Sequence, residues 1–173
     1  NKALEMIEAR WLFGATADNL EVLVHPQSVV HSAVGYADGS IIAHLGNPDM
    51  RTAIGYALSW PERVSLPVKP LSLIDMARLD FAAPDEVRFP ALRLARLAMG
   101  ENELAGAALN GAKEAALEAF IAGRIGFLQM ADVVETTLER LTPYPPARDL
   151  RDVFDMDATA RRIAADVMRI NAA

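Results

Sequence analysis

The sequence contains no cysteine, which excludes disulfide bonds, zinc–thiolate centres and thiol nucleophiles. Any metal ion would therefore have to bind carboxylate or imidazole groups. No apolar run approaches the roughly 20 residues that cross a bilayer, and the first residues lack the pattern of a signal peptide. The GxSxG and HExxH motifs and the dinucleotide-binding fingerprint are absent as well. We therefore expect a soluble chain that resides in the cytoplasm.

A cluster of basic residues is also missing. Lys and Arg number 17 against 23 Asp and Glu, and the net charge is −6. This balance argues against a surface for nucleic acid or anionic membranes. With 173 residues, 52% of them hydrophobic, the chain can bury a core in one domain or in two small ones.

Asn1 stands where an initiator methionine would be expected, and a helical pattern starts at once. Leu4, Ile7, Trp11 and Leu12 recur at the spacing of one helical face. This abrupt start predicts a fragment or a processed product, with trimming by an exopeptidase as the alternative.

In the rest of the chain, the pattern of apolar residues changes near residue 84. Before that point it predicts both strands and helices, and after it only helices. Before it, alternating β-rich runs flank a tight-turn signal, "ADGS", and Asn47 and Asp49 can cap a short helix that "WPER" ends. After it, alanine- and leucine-rich segments are separated by glycines and by "TPYPP". The predicted strands are 21–24, 28–36, 40–44 and 78–81, and the predicted helices after the first are 50–59, 91–99, 103–122, 128–141 and 157–171. We thus predict an α+β chain in which a domain with a small sheet and flanking helices, 1–83, precedes a four-helix bundle, 84–173.

Three polar side chains share the first turn of the first predicted helix. Asn1 and Glu5 stand four residues apart and Lys2 and Glu5 three apart, so they project from neighbouring faces. The free N–H groups of that turn favour an anion. Together they could hold a polyhydroxy phosphate ester and share one divalent cation. The alternative, which the pattern alone favours, is an ordinary Lys-Glu pair on a solvated face.

The histidines of the β-rich region are weaker candidates. His25 precedes Pro26, which interrupts a strand, and His31 follows six residues later. A lone strand histidine is more often a hydrogen-bonded structural residue than a ligand or a proton carrier. Met50, after the "GNPD" turn, is typical of core packing.

One acidic pair lies in the helical half. Glu114 and Glu118 have the i, i+4 spacing of a metal pair, with Lys113 beside them. A solvated face of a bundle helix is the interpretation that this composition favours.

Three stretches together resemble one enzyme family: "NKALEMIEARWLF", "HPQSVVHSAVGYADGSIIAHLGNPDMRTAIGYALSWPER" and "ALNGAKEAALEAF". They are similar to the carboxy-terminal part of the 1-deoxy-D-xylulose 5-phosphate reductoisomerases of the non-mevalonate isoprenoid pathway, and the similarity covers essentially the whole chain. The resemblance implies a homodimeric enzyme that uses NADPH and Mg2+ or Mn2+. Its substrate would be 1-deoxy-D-xylulose 5-phosphate and its product 2-C-methyl-D-erythritol 4-phosphate. Fosmidomycin inhibits this class.

The resemblance also implies roles for individual residues. The family's Asn-Lys-x-x-Glu motif falls on Asn1 and Lys2, as substrate contacts, and on Glu5, as a metal ligand that also touches the substrate. His31 matches a histidine near the active site, and Met50 a methionine beside the substrate pocket. Both are expected to support the site without acting in catalysis.

The same resemblance indicates what the chain does not contain. The family's nucleotide-binding domain, its Asp-x-Glu metal ligands, its phosphate-binding serines and its mobile lid have no counterpart here, so we predict no activity for the 173-residue chain alone. One carboxylate holds Mg2+ poorly. Where relatives carry "NAANE", this chain has "NGAKE", with Lys113 in place of an amide.

Alternatives remain at the level of function. A non-catalytic dimerising module would leave the polar first turn merely solvated, and another phosphosugar isomerase or aldolase could use a single divalent ion. The expected location is the cytoplasm of a bacterium, with a plastid stroma as the alternative. No nucleic acid or membrane partner is expected.

Overall fold

The computed structural model describes residues 1–100 and 102–171, and it confirms the predicted α+β class with a helical carboxy-terminal region. Two compact units divide the chain. The helical unit comprises Asn1–Glu21 and the chain from Asp85 onward, and the mixed unit comprises Val22–Pro84. None of the helices in the described ranges is long and apolar enough to cross a membrane. The elements are α1 (Lys2–Phe13), β1 (Val30–Gly35), β2 (Ile41–Leu45), α2 (Met50–Ser59), α3 (Leu73–Met76), α4 (Pro90–Gly100), α5 (Glu103–Ile121), α6 (Gln129–Leu141) and α7 (Leu150–Asn171).

Helix α5 forms the centre of the helical unit because its inner face carries small residues. Ala105, Ala108, Ala112 and Ala116 are fully buried and let α6 and α7 approach closely. At Gly111 the approach is closest, since an added Cβ would lie 2.7 Å from the Asp157 carbonyl oxygen of α7. The partners supply larger apolar side chains at helical spacing: Leu94 and Ala98 from α4, Val133, Val134 and Leu138 from α6, and Met156, Ala160, Ala164 and Val167 from α7. The four helices predicted after residue 84 are thus the bundle.

The mixed unit is built on one β-hairpin. Strands β1 and β2 pair antiparallel, and the "ADGS" turn predicted between them is confirmed. Asp38 accepts hydrogen bonds from the amide (2.9 Å) and the hydroxyl (2.6 Å) of Ser40, and Gly39 adopts a φ of 85° that a side chain would strain. These two bonds lower the pKa of Asp38.

Helix α2 has the bounds predicted for it. Asp49 accepts a hydrogen bond from the Arg51 amide at 2.9 Å and so caps the first turn. The helix ends at Ser59, before Trp60 and Pro61, because proline cannot continue a helical ladder.

Two predicted strands are wrong. In the described part of the chain the runs 21–24 and 78–81 form no ladder. One isolated bridge lies beside them, in which Val24 and Ala82, the residue after the second run, exchange backbone hydrogen bonds of 2.8 and 2.9 Å. Alternating side chains suggested strands there, but regular pairing needs a partner along the full run. The short helix α3 was not predicted.

The start of the last helix is also corrected. Helix α7 begins at Leu150, not at residue 157, because Asp149 accepts hydrogen bonds from the amides of Arg151 (2.8 Å) and Asp152 (3.3 Å). This is an N-cap that the sequence argument passed over.

The two domains predicted for 1–83 and 84–173 stay a prediction. The compact units divide the chain differently at its amino end, because α1 packs against α4. Ala3 and Met6 of α1 are buried, at 8% and 2% exposure. Helix α1 therefore belongs to the helical unit.

Candidate substrate and metal site

The structure brings the three predicted residues of the first turn together. The Asn1 amide nitrogen donates to one oxygen of Glu5 at 2.5 Å, and the Lys2 ammonium group binds the other oxygen. The Lys2 and Glu5 side chains keep 55% and 42% of their surface exposed. Both carboxylate oxygens therefore have a donor, and solvent reaches all three groups.

The backbone of this turn adds further donors. Asn1 is the N-cap residue of α1, but its side chain makes no capping hydrogen bond because it is directed to Glu5. The first amide groups of a helix have no carbonyl partner within it, and the helix dipole adds partial positive charge. An anion such as a phosphate could bind here beside the Lys2 ammonium group.

A rigid support lies beneath the turn. Ala3 and Met6 are buried, and Leu4 and Ile7 pack against the core of the helical unit. Ile7 lies so close to Gly106 of α5 that an added Cβ would be 3.2 Å from its Cγ2 atom. Because the opposite face of α1 is anchored, the three polar side chains start from a defined position.

The site fits a divalent metal only in part. Mg2+ takes about six oxygen ligands in near-octahedral geometry. Glu5 supplies one carboxylate, and the described part of the chain holds no group of three or more His, Asp or Glu residues that could bind an ion. Glu5 can therefore serve as one ligand of a metal whose other ligands come from substrate, water or other protein groups.

His31 lies in the mixed unit, at an irregularity of β1. Val30 pairs with Leu45 and Ser32 with His44, so His31 is the extra residue of a β-bulge. Its Nε2 atom lies 3.1 Å from the Gly46 carbonyl oxygen, which can only accept, so the hydrogen is on Nε2. Bulges reorient side chains next to functional sites. His31 is exposed, so its Nδ1 atom can face a ligand or a water molecule.

Met50 is the first residue of helix α2 and is 70% exposed. It therefore does not pack in a core, although core packing is typical of methionine. The preceding Asp49 accepts a hydrogen bond from the Arg51 amide and forms an ion pair with the Arg51 guanidinium group. These bonds hold the pKa of Asp49 below its usual value. The charged cap therefore fixes the turn that presents Met50.

Glu114 and Glu118, for which the sequence favoured a solvated face over a metal pair, lie among charged side chains of α5 and α7. Glu114 binds the neighbouring Lys113, and this hydrogen bond is the main cause that lowers the pKa of Glu114. Arg161 of α7 binds Asp157 at 2.7 Å, and its positive charge also favours ionised Glu114. Each of these ion pairs lies within one helix, and the contact between α5 and α7 is made by their buried apolar faces.

In the "HPQS" turn of the mixed unit, His25 is a hydrogen-bonded structural residue, as the sequence favoured, whereas the contacts of Gln27 with Asp80 were not predicted. His25 and Gln27 both bind Asp80, more than fifty positions along the chain. The only available signal was the glutamine itself, a polar residue inside an apolar stretch. The first-turn cluster belongs to the helical unit, and His31 and Met50 belong to the mixed unit.

The comparisons with known proteins agree on one family. A family model described as the DXP reductoisomerase C-terminal domain matches residues 45–163. A 1-deoxy-D-xylulose 5-phosphate reductoisomerase of Rhizobium etli (strain CIAT 652) is 62% identical over 99% of this chain and 43% of the relative, and that of Rhizobium meliloti is 63% identical over 98% and 43%. The chain thus spans less than half the length of the curated relatives it matches.

Solved structures give the same result. The reductoisomerase of Zymomonas mobilis in complex with NADPH matches with a TM-score of 0.88 and 48% identity, over 97% of this chain and 44% of that one. A DOX-P reductoisomerase in complex with NADPH, fosmidomycin and magnesium matches with a TM-score of 0.90 and 40% identity, over 98% and 44%. At such identities the fold and the alignment of residues are both well defined.

Proposed function

The chain belongs to the family of the DXP reductoisomerase C-terminal domain, and on this premise we propose that it is part of a reductoisomerase acting on 1-deoxy-D-xylulose 5-phosphate. The product would be 2-C-methyl-D-erythritol 4-phosphate. The names of the relatives and the complex of one neighbour with NADPH, fosmidomycin and magnesium support this proposal.

The observation that carries the proposal is the arrangement of Asn1, Lys2 and Glu5 on the exposed first turn of α1. Lys2, Asn1 and the free amides of that turn supply positive charge and donors for a phosphate or a substrate hydroxyl. Glu5 supplies a hard oxygen ligand for Mg2+ or Mn2+. When bound, the metal would polarise substrate oxygens and NADPH would supply a hydride.

Substrate binding would change the partners within this cluster. Glu5 now accepts hydrogen bonds from Asn1 and Lys2, so a metal ion and a phosphate compete with two bonds made inside the protein. Lys2 moving from Glu5 to the phosphate would free one carboxylate oxygen for the metal. The exposed position of the cluster makes this exchange inexpensive, because exposed ion pairs contribute only about 0–1 kcal/mol.

The 173-residue chain alone is proposed to be inactive. One carboxylate cannot replace the several ligands that Mg2+ requires, and the described residues hold no further group able to complete the set. His31 and Met50 are proposed to support substrate binding, as exposed side chains presented by a bulge and by a helix start.

A chimera provides the test. The residues that precede the matching segment in the Rhizobium meliloti relative, joined before Asn1, should yield a chain that oxidises NADPH when substrate and Mg2+ are added. Glu5→Gln should lower kcat/KM by about a hundredfold or more, since a ligand is lost while the shape is kept. Raising Mg2+ should recover part of that loss.

Glu8→Gln is the matched control, because Glu8 is exposed one turn further along the same helix. It should leave the rate within about twofold. An active 173-residue chain of verified mass would contradict the proposed inactivity, and a folded but inactive parent chimera would contradict the proposed function. A chimera that is inactive yet dimeric would favour the dimerising module.

The homodimer and the location in a bacterial cytoplasm are proposed as well. The hairpin supports the homodimer, because the side chains of Val34, Ile41 and Ile42 are 56%, 70% and 64% exposed. A lone two-stranded sheet is also only marginally stable in water. The bacterial sources of the relatives support the second. Sedimentation of the chimera should give a dimer, and Ile42→Lys should shift it toward monomer.

A further inference from the structure

His25 is held by its ring in a way that determines its tautomer. The Nδ1 atom lies 2.8 Å from the Asp80 carbonyl oxygen, and a carbonyl oxygen only accepts, so Nδ1 carries a hydrogen. The Nε2 atom is buried and has no hydrogen-bond partner among the described residues. A second N–H group there would be buried without an acceptor, which folded proteins avoid. The ring also stacks on Phe81, with centroids 4.7 Å apart.

Gln27 forms two further hydrogen bonds with Asp80. Its amide nitrogen donates to the Asp80 carboxylate at 2.5 Å, and its amide oxygen accepts from the Asp80 backbone N–H at 3.2 Å. The Val24 and Ala82 bridge lies next to these bonds. The turn 24–28 and the segment 80–82 are therefore joined by both backbone and side-chain hydrogen bonds.

Ser28, an exposed residue directly after Gln27, has an unusual backbone. Ser28 has a φ of 52°, in the left-handed region that favours glycine, and its amide donates to the His25 carbonyl at 3.0 Å. Such conformations persist only where the surroundings impose them, and they cluster at functional sites. Val29 follows at 2% exposure and binds Gly46, and β1 with the bulge at His31 begins directly after it.

We propose that His25, in the tautomer with hydrogen on Nδ1, is a positioning residue of the proposed reductoisomerase. With Gln27 it holds the 80–82 segment against the turn 24–28, and so fixes Ser28 and the start of the strand that carries His31. The inference rests on the proposed function, because the position of Ser28 and of β1 affects the reaction only if His31 and its neighbours face the substrate.

The two amide substitutions at residue 25 separate this role from simple packing. The side-chain nitrogen of asparagine occupies the place of Nδ1, whereas that of glutamine occupies the place of Nε2. In the active chimera, His25→Asn should keep the bond to the Asp80 carbonyl and hold kcat within about threefold of the parent. His25→Gln should lower kcat by about tenfold, with KM for NADPH unchanged.

Gln27 provides an independent rescue. Gln27→Glu places a second carboxylate against that of Asp80 and should lower kcat to a similar extent as His25→Gln. The double variant Gln27→Glu with Asp80→Asn restores a donor-acceptor pair of the same shape and should recover most of the rate. A residue that only filled space would show neither the difference between amides nor the rescue.

A nitrogen-15 NMR spectrum of the chimera, labelled at its histidine rings, gives a readout that does not depend on activity. The His25 signals, identified by their loss in His25→Asn, should show a protonated Nδ1 and an unprotonated Nε2 at neutral pH. The opposite tautomer, or equal kcat for the two amide variants below their melting temperatures, would overturn the proposal. An inactive parent with the expected tautomer would instead count against the proposed function and remove the role assigned to His25.

Discussion

The two compact units contain similar apolar residues but bury them to very different degrees. In the helical unit, fully buried side chains extend through all four helices of the bundle. In the mixed unit, Val29 is the only buried residue, although every position of 22–84 is described. Leu58, Trp60 and Ile74 there are 84%, 70% and 91% exposed. Helix α2 buries none of its residues.

This difference shows that an apolar pattern predicts a surface to be covered, not what covers it. The helical unit satisfies its own pattern because α5 receives α4, α6 and α7 on one small-residue face. The mixed unit leaves many large apolar side chains exposed, which is typical of a surface that another part of a protein covers. Its exposed faces are consistent with the proposal that this chain is part of a larger enzyme, whose other parts would complete the core.

The largest expected effect is a difference in stability between the units of the 173-residue chain. Backbone amides of β1 and β2 should exchange with solvent at least about a thousandfold faster than those of α5, since burial of apolar side chains supplies most of the folding free energy. Hydrogen exchange followed by mass spectrometry measures this. In the chimera, the amides of β1 and β2 should exchange more slowly than in the 173-residue chain. Equal protection of the amides of both units in the 173-residue chain would contradict the predicted difference in stability.

A matched pair of leucines sharpens the comparison. Leu104 of α5 is 1% exposed and Leu58 of α2 is 84% exposed. Leu104→Ala should lower the free energy of unfolding by about 3 kcal/mol through lost burial and a residual cavity. Leu58→Ala in the same chain should change it by less than about 0.5 kcal/mol. Urea unfolding followed by helical circular dichroism measures both.

In the chimera the same pair becomes a test of what covers the mixed unit. If the remainder of the enzyme packs over α2, Leu58→Ala should become destabilising there while the effect of Leu104→Ala stays similar. An unchanged, near-zero effect of Leu58→Ala in both chains would indicate that this face stays solvated.

The smallest expected effect concerns acid stability of the helical unit. Hydrogen bonds from the Arg148 side chain lower the pKa of Asp152 from its usual 3.8 to about 2. Because the folded pKa is the lower one, this stabilisation is fully present above about pH 4 and is lost as the pH falls toward 2. Asp152→Asn should flatten the fall of the melting temperature of the unit over that range. An unchanged fall would mean that the pair does not contribute.

Much of the fold and one part of the site could be predicted locally. The bounds of α2 follow from the Asp49 cap and from Pro61, and the cluster of Asn1, Lys2 and Glu5 follows from helical spacing. The turn at Asp38 and Gly39 follows from the demands of a hairpin. In these cases the partners lie within five residues of each other.

Some errors involve partners that are distant along the chain, whereas α3 and the start of α7 were missed although their caps, Ser72 and Asp149, are local. The strands predicted at 21–24 and 78–81 reduce to a single bridge, and the bulge at His31 depends on how β1 and β2 are aligned. The contact of His25 and Gln27 with Asp80 joins residues more than fifty positions apart. No periodicity in the sequence carries that information.

The sequence by itself determined the presence of every described helix except α3, the hairpin turn, the polar first turn and the family, because each rests on local spacing or on long, specific stretches of residues. Tertiary structure alone decided that α1 packs with the carboxy-terminal helices, that the "HPQS" turn is clamped to Asp80 and that the apolar faces of the mixed unit remain exposed. The physical reason is that backbone propensity acts over a few residues, whereas burial and hydrogen-bond satisfaction depend on which distant groups meet.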